Sequence, residues 1–167
     1  DDDDFDKLIV KGNYKLTIRK VVGNNGTDDI DFNITRVNSI TGGNTETFEN
    51  VETQNAEIGY QEELSSNARG TIKYTISEVA DSNYIQLTNP INLTLKIENG
   101  KIYSYSIEYG TQGYMGCKAE ERTYTFSNSG VNLAVKVTVD YENSDIEVEI
   151  ENKLNKIKKW LLIWKNG

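Results

Sequence analysis

From residue 14 onward, apolar and polar residues alternate in short runs broken by turn residues, and this two-residue period constrains the fold more than any other feature. The run Tyr14-Lys15-Leu16-Thr17-Ile18-Arg19-Lys20-Val21-Val22 is representative. Such alternation belongs to a strand with one buried face. The same pattern predicts strands over residues 31–37, 45–51, 71–78, 91–98, 101–109, 122–126, 131–141 and 145–152. Asn24-Asn25-Gly26 reads as a turn. Glu98-Asn99-Gly100-Lys101 predicts a tight hairpin, because Asn-Gly tolerates the positive φ of a type I′ turn. Many short strands at this spacing give an all-β sandwich or barrel.

Three regions fall outside the alternation. Residues 1–13 form an acidic lead-in, with residues 1–6 expected to fray. Residues 61–67 fit a helical turn or a loop. Leu154, Ile157, Leu161 and Trp164 recur at helical spacing. Residues 154–167 therefore read as a short amphipathic helix, as the first strand of a following domain, or as a tail packed on its own domain. This leaves residues 14–153 as one β-sandwich. A chain of 167 residues buries about 70% of its extended surface on folding, enough for a core without metals or disulfides.

Composition removes several classes of function. A net charge of −8 opposes binding to nucleic acid and to anionic lipid. The absence of histidine removes the commonest general base and metal ligand. Cys117 is the only cysteine, so no intrachain disulfide forms. The longest apolar run, Trp160-Leu161-Leu162-Ile163-Trp164, is far below the roughly 20 residues of a membrane span. The chain starts at Asp1 rather than Met and reads as a fragment or a mature segment.

Three of the expected strands share an oddity. Tyr14, Leu16 and Ile18 share a face, and Lys20 continues their parity. Ile72, Tyr74 and Ile76 are continued by Glu78. Ile146, Val148 and Ile150 are continued by Asn152. Each core-facing row thus ends in a polar residue, and buried polar groups are costly unless they satisfy one another. One chemical solution uses all three. Burial disfavours a charged amine and a charged carboxylate alike. A neutral Lys20 amine can attack the Asn152 carboxamide while Glu78 polarises it and shuttles protons, giving a Lys20–Asn152 isopeptide and ammonia. The bland alternative is a buried Lys20–Glu78 salt bridge with Asn152 hydrogen-bonded to both.

Three segments carry a resemblance to a known family. Lys20 follows Leu16-Thr17-Ile18-Arg19. Ile72-Lys73-Tyr74-Thr75-Ile76-Ser77-Glu78 has Tyr84 six residues further on. The last predicted strand closes as Val148-Glu149-Ile150-Glu151-Asn152-Lys153. Together these resemble the reactive lysine, the Tyr-x-x-x-Glu strand with its later Tyr, and the terminal Asn-Lys strand of collagen-adhesin B-type (CnaB-like, SpaA-like) domains of Gram-positive surface proteins and pilins. The resemblance spans about residues 14–153. It implies a prealbumin-like, Ig-like Greek-key sandwich. It also implies the isopeptide, with Glu78 catalytic in a single turnover and no cofactor or metal. The expected place is extracellular, in a stalk or pilus backbone at the bacterial cell wall, with neighbouring domains of the same surface protein as partners. The sequence departs from the family at Ile30-Asp31-Phe32 and at Asp81-Ser82-Asn83-Tyr84, and it has extra residues around 111–122. It carries no Leu-Pro-x-Thr-Gly sorting signal.

The alternative function is an adhesin module that contacts host matrix protein or glycan through loops such as residues 111–122. Tyr103, Tyr105 and Tyr109 share a parity with Ile107, and they read either as a core row or as an exposed contact face. Cys117 resembles a thioester former only weakly, since Gln112 precedes it and no Gln follows. Asp28, Asp29 and Asp31 with Asn24 and Asn25 do not have EF-hand spacing. The sequons at Asn25, Asn33 and Asn92 are expected by chance in an Asn-rich chain.

Overall fold

The computed structural model describes residues 5–11, 14–22, 31–40, 44–52, 57–62, 64–117 and 121–155. For residues 5–11, 14–22, 44–52 and 57–62 it is the backbone that is described. The strands are β1 Phe5–Lys11, β2 Tyr14–Val22, β3 Asp31–Asn38, β4 Asn44–Glu52, β5 Glu57–Glu62, β6 Gly70–Glu78 and β7 Tyr84–Ile85. They continue as β8 Ile91–Glu98, β9 Lys101–Tyr109, β10 Gln112–Gly116, β11 Glu121–Asn128, β12 Val131–Asp140 and β13 Asp145–Leu154. No helix occurs among the described residues, and so none there is long and apolar enough to cross a membrane.

The strands form two sheets of a β-sandwich. One runs β1-β5-β2-β13-β12-β11, with β7 added beside β13 and β1 also paired to β2. The other runs β10-β9-β8-β6-β3-β4. Most pairs are antiparallel; β1–β5 and β2–β13 are parallel. Alternation does what the sequence period predicts. Ile72, Tyr74, Ile76, Leu93 and Leu95 of the second sheet are buried, as are Val135, Val137, Val148 and Ile150 of the first. At about 2 kcal/mol for each large apolar side chain removed from water, these rows supply the main drive for stacking the sheets.

Two hairpins show their turn chemistry directly. Asn99 (φ 53°) and Gly100 (φ 72°) join β8 to β9 with positive φ at both central residues, the signature of the expected type I′ turn. Ser129 (φ 50°) and Gly130 (φ 80°) do the same between β11 and β12, where no Asn-Gly pair announces it.

The tyrosine row divides. Tyr105 and Tyr109 are buried with Ile107, but Tyr103 is 55% exposed. A register shift between Lys96 and Ile97 sets Ile102 against Ile97 and Ser104 against Lys96, leaving Tyr103 as the extra residue. Such a bulge breaks the parity that alternation alone assumes. Tyr105 Oη and Tyr124 Oη share a 2.8 Å hydrogen bond that ties β9 of one sheet to β11 of the other. Tyr114 stacks on Tyr124 at 4.8 Å and Tyr109 on Phe126 at 4.8 Å, closing the same flank with aromatic surface.

Several boundaries differ from the expectation. Residues 61–62 end β5, and residues 64–69 form a loop with no helical turn. The stretch 111–122 holds a strand, β10, rather than loop alone. β1 begins at Phe5, inside the segment expected to fray. β12 ends at Asp140 instead of residue 141, and β13 continues to Leu154. Ile157, Trp160, Leu161, Ile163 and Trp164 lie outside the described residues.

Candidate functional site

Asn152 stands out among the described residues. It sits on β13 in the row begun by Ile146, Val148 and Ile150, and its exposure is 0%. Neither its Oδ1 nor its Nδ2 has a hydrogen-bond partner among the described residues. A buried amide left without partners costs about 1–3 kcal/mol. The register explains how it comes to be there. Each core-facing residue of β13 is committed by the sheet, so a polar residue at the next position of the same parity enters the same layer.

Lys20 is placed by β2. In the parallel ladder of β2 and β13 its backbone partner is Ile150, and Val22 is the partner of Asn152. Paired residues of adjacent strands lie on the same face of a sheet. Strand spacing and rise put positions 20 and 152 about 8 Å apart at their Cα atoms, within the combined length of a Lys and an Asn side chain. The side chain of Lys20, like those of Tyr14, Leu16 and Ile18, lies outside the described residues.

Glu78 ends β6 in the opposite sheet, opposite Phe32 of β3. Beyond it the chain turns back on itself. Val79 N donates to Asp31 O (2.8 Å), Asn83 N to Asp81 Oδ1 (2.9 Å) and Tyr84 N to Asp81 O (3.0 Å). The Asp81 side chain thereby builds the local turn that its residue type favours. The chain then pairs as β7 with the end of β13, Ile85 opposite Lys153 and Tyr84 opposite Leu154, and Asn155 N donates to Asn83 O (2.8 Å). Tyr84 is buried.

The next residue, Gln86, was not legible as a functional residue. It is 92% buried by its 8% exposure, and its Nε2 donates to Glu78 Oε2 (3.0 Å) and to Val79 O (3.2 Å). Its Oε1 accepts from Asp81 N (2.8 Å). Its only sequence signal is that it shares the parity of Tyr84 in an extended segment. The segment 84–86 thus touches both halves of the site: its backbone pairs with β13 just past Asn152, and its side chain holds Glu78.

Comparison with protein-family models, curated proteins and solved structures finds no match.

Lys153, the neighbour of Asn152, faces outward, donating to Asn132 O (2.7 Å) and lying 3.9 Å from Glu151. Cys117 is exposed just after β10. Asn92 accepts from Thr75 Oγ1 (2.9 Å), and Asn33 is exposed on β3. Asn24, Asn25, Asp28 and Asp29 lie outside the described residues, and no cluster of three metal-ligating side chains occurs among those described.

Proposed function

We propose that the domain is a load-bearing unit of a bacterial cell-surface adhesin or pilin, locked by an intramolecular Lys20–Asn152 isopeptide that Glu78 promotes. The single observation that carries this reading is the fully buried Asn152 carboxamide with no partner for either polar atom among the described residues. A bond between Lys20 Nζ and Asn152 Cγ would remove Nδ2 as ammonia and convert an orphaned primary amide into a cross-link. The register of β2 against β13 supports it, because the two strands are direct neighbours from the Lys15–Asp145 pair to the Val22–Asn152 pair. Folding itself would bring the groups together, so effective concentration supplies much of the rate. Glu78 would take one proton from the neutral amine and return it to the departing nitrogen. The chemistry occurs once and leaves no turnover.

The mechanical consequence follows from the position of the bond. It would join β2 to β13, so a pull applied across those two strands would meet a covalent tie before most of the sandwich between them could extend. The bond needs no oxidising compartment, which suits a chain with one cysteine. Partners would be neighbouring domains of the same surface protein. The test is the intact mass of the purified chain: one ammonia below the sequence mass for wild type, and the full sequence mass for Lys20→Ala, Glu78→Ala and Asn152→Ala. A wild-type chain at full mass overturns the proposal.

A second reading, a module that contacts host matrix protein or glycan, has one observation in its favour. An open groove of about 440 Å³ lies on the outer face of the second sheet, lined in part by Thr94, Lys96, Ser104, Ser106 and the 73% exposed Met115. Binding of matrix proteins or an array of glycans to the isolated chain would support it, and binding to none would end it.

A further inference from the structure

We propose that Gln86 is a positioning residue for the bond-forming step, fixing the Glu78 carboxyl in one orientation and assigning different tasks to its two oxygens. The inference rests on the proposed Lys20–Asn152 bond. In that step Lys20 Nζ bonds to Asn152 Cγ and the Cγ–Nδ2 bond breaks. One amine proton passes to the Glu78 carboxylate, and Glu78 delivers it to the nitrogen that leaves as ammonia. The carboxyl must therefore gain and lose a proton at a defined atom. An amide N–H is a donor and meets only an acceptor. Gln86 Nε2 donates to Oε2 at 3.0 Å, so Oε2 is held as the acceptor and the travelling proton is favoured on Oε1.

The amide is itself held from both ends. Its Nε2 also donates to Val79 O, and its Oε1 accepts from Asp81 N, which fixes which end of the group is nitrogen. A flipped amide would set Oε1 against the Val79 carbonyl and Nε2 against the Asp81 N–H, losing both bonds. The backbone of Gln86 follows β7 directly, and β7 is registered on β13 at Lys153 and Leu154. Gln86 O in turn accepts a hydrogen bond from Asn128 Nδ2. Glu78 is thus positioned with respect to the strand that carries Asn152, although the two belong to different sheets.

The experiment follows bond formation with time by intact mass in newly synthesised full chains of wild type, Gln86→Met and Gln86→Glu, sampled from before the bond has closed to its endpoint, with far-ultraviolet circular dichroism as the check on folding. Methionine keeps the volume and removes the donor. Glutamate restores a donor only when it carries a proton. Wild type is expected to be fully cross-linked, and Gln86→Met to react about tenfold more slowly or worse, the scale of one lost hydrogen bond to a charged group. Two carboxyls sharing a site give up their last proton well above the ordinary glutamate range, so Gln86→Glu is expected to approach the wild-type rate at about pH 5 and to fall to the methionine rate at about pH 8. A purely structural role would leave that pH profile flat relative to the methionine variant. Should Gln86→Met fail to fold, the profile of Gln86→Glu decides alone. Wild type cross-linked together with a Gln86→Met that reacts at the wild-type rate, or a flat Gln86→Glu profile, overturns the role of Gln86 and leaves the bond standing. An unreacted wild type overturns the bond, and with it this inference.

Discussion

Lys20 and Ile150 are partners in the parallel register of β2 and β13, which sets Asn152 two residues beyond the lysine's own partner. A parallel pair between residues this far apart in sequence is a long-range contact. The energetic reward of a covalent tie at that place is correspondingly large.

Replacing Asn152 by alanine separates two accounts with opposite signs. A cross-link closing a loop of about 130 residues contributes about 5 kcal/mol through the unfolded state. Its loss should lower Tm by about 10–20 °C for a domain of this size. If Asn152 were only an unbonded buried amide, alanine would relieve a penalty and stability would hold or rise. Scanning calorimetry of wild type and Asn152→Ala gives the sign.

The Tyr105–Tyr124 hydroxyl pair should behave as a coupled unit. Tyr124→Phe leaves the buried Tyr105 hydroxyl without its 2.8 Å partner, and a cost of about 1–3 kcal/mol is expected. Adding Tyr105→Phe removes the stranded group as well, so the double variant should be more stable than the sum of the single losses predicts. A double-mutant cycle by urea denaturation measures the difference.

Alkaline pH should weaken the fold through Tyr105. Burial first, and then the hydrogen bond with Tyr124, raise its pKa far above the ordinary tyrosine value of 10.0. Burial raises Tyr141 in the same direction. Below that ordinary value both folded and unfolded tyrosines keep their protons, and the contribution is fully present. Above it the unfolded chain releases protons that the folded chain retains, so stability is lost as pH rises. Tyr105→Phe should show a shallower loss between about pH 10 and pH 11 than wild type, as followed by denaturant midpoints.

Two glycines are required by geometry. At Gly116 a Cβ would overlap the Tyr105 ring across the β9–β10 pair, so Gly116→Ala should cost about 1–3 kcal/mol through overpacking. At Gly100 the φ of 72° and the close approach of Ser65 O act together, and Gly100→Ala should cost about 1–3 kcal/mol. Denaturant midpoints check both; Gly130→Ala, which meets nothing within 4 Å, isolates the backbone part alone.

Much of this fold was legible because alternation reports burial directly. Residues 91–98 and 101–109 match β8 and β9 end to end, since an Asn-Gly turn marks their junction. Two of the strands missed, β7 and β10, lack a clean apolar row. β10, Gln112-Gly113-Tyr114-Met115-Gly116, is an edge strand exposed over its first four residues, so no buried row betrays it. β7 has two residues and takes its identity from pairing with β13 rather than from its own pattern. Parity groups Tyr103 with Tyr105 and Tyr109, and it leaves that row because a bulge shifts parity without any local marker. At the candidate site, Glu78 and Asn152 could be found as polar ends of apolar rows. Gln86 could not, because its role depends on a turn that folds residue 86 back onto residue 78.

The most direct measurement is tandem mass spectrometry of a proteolytic digest of the native chain. The account predicts one branched fragment in which a peptide from β2 is joined through Lys20 to a peptide from β13 through Asn152, lighter by one ammonia than the two separate peptides. Recovery of those peptides only as separate, full-mass species would contradict it.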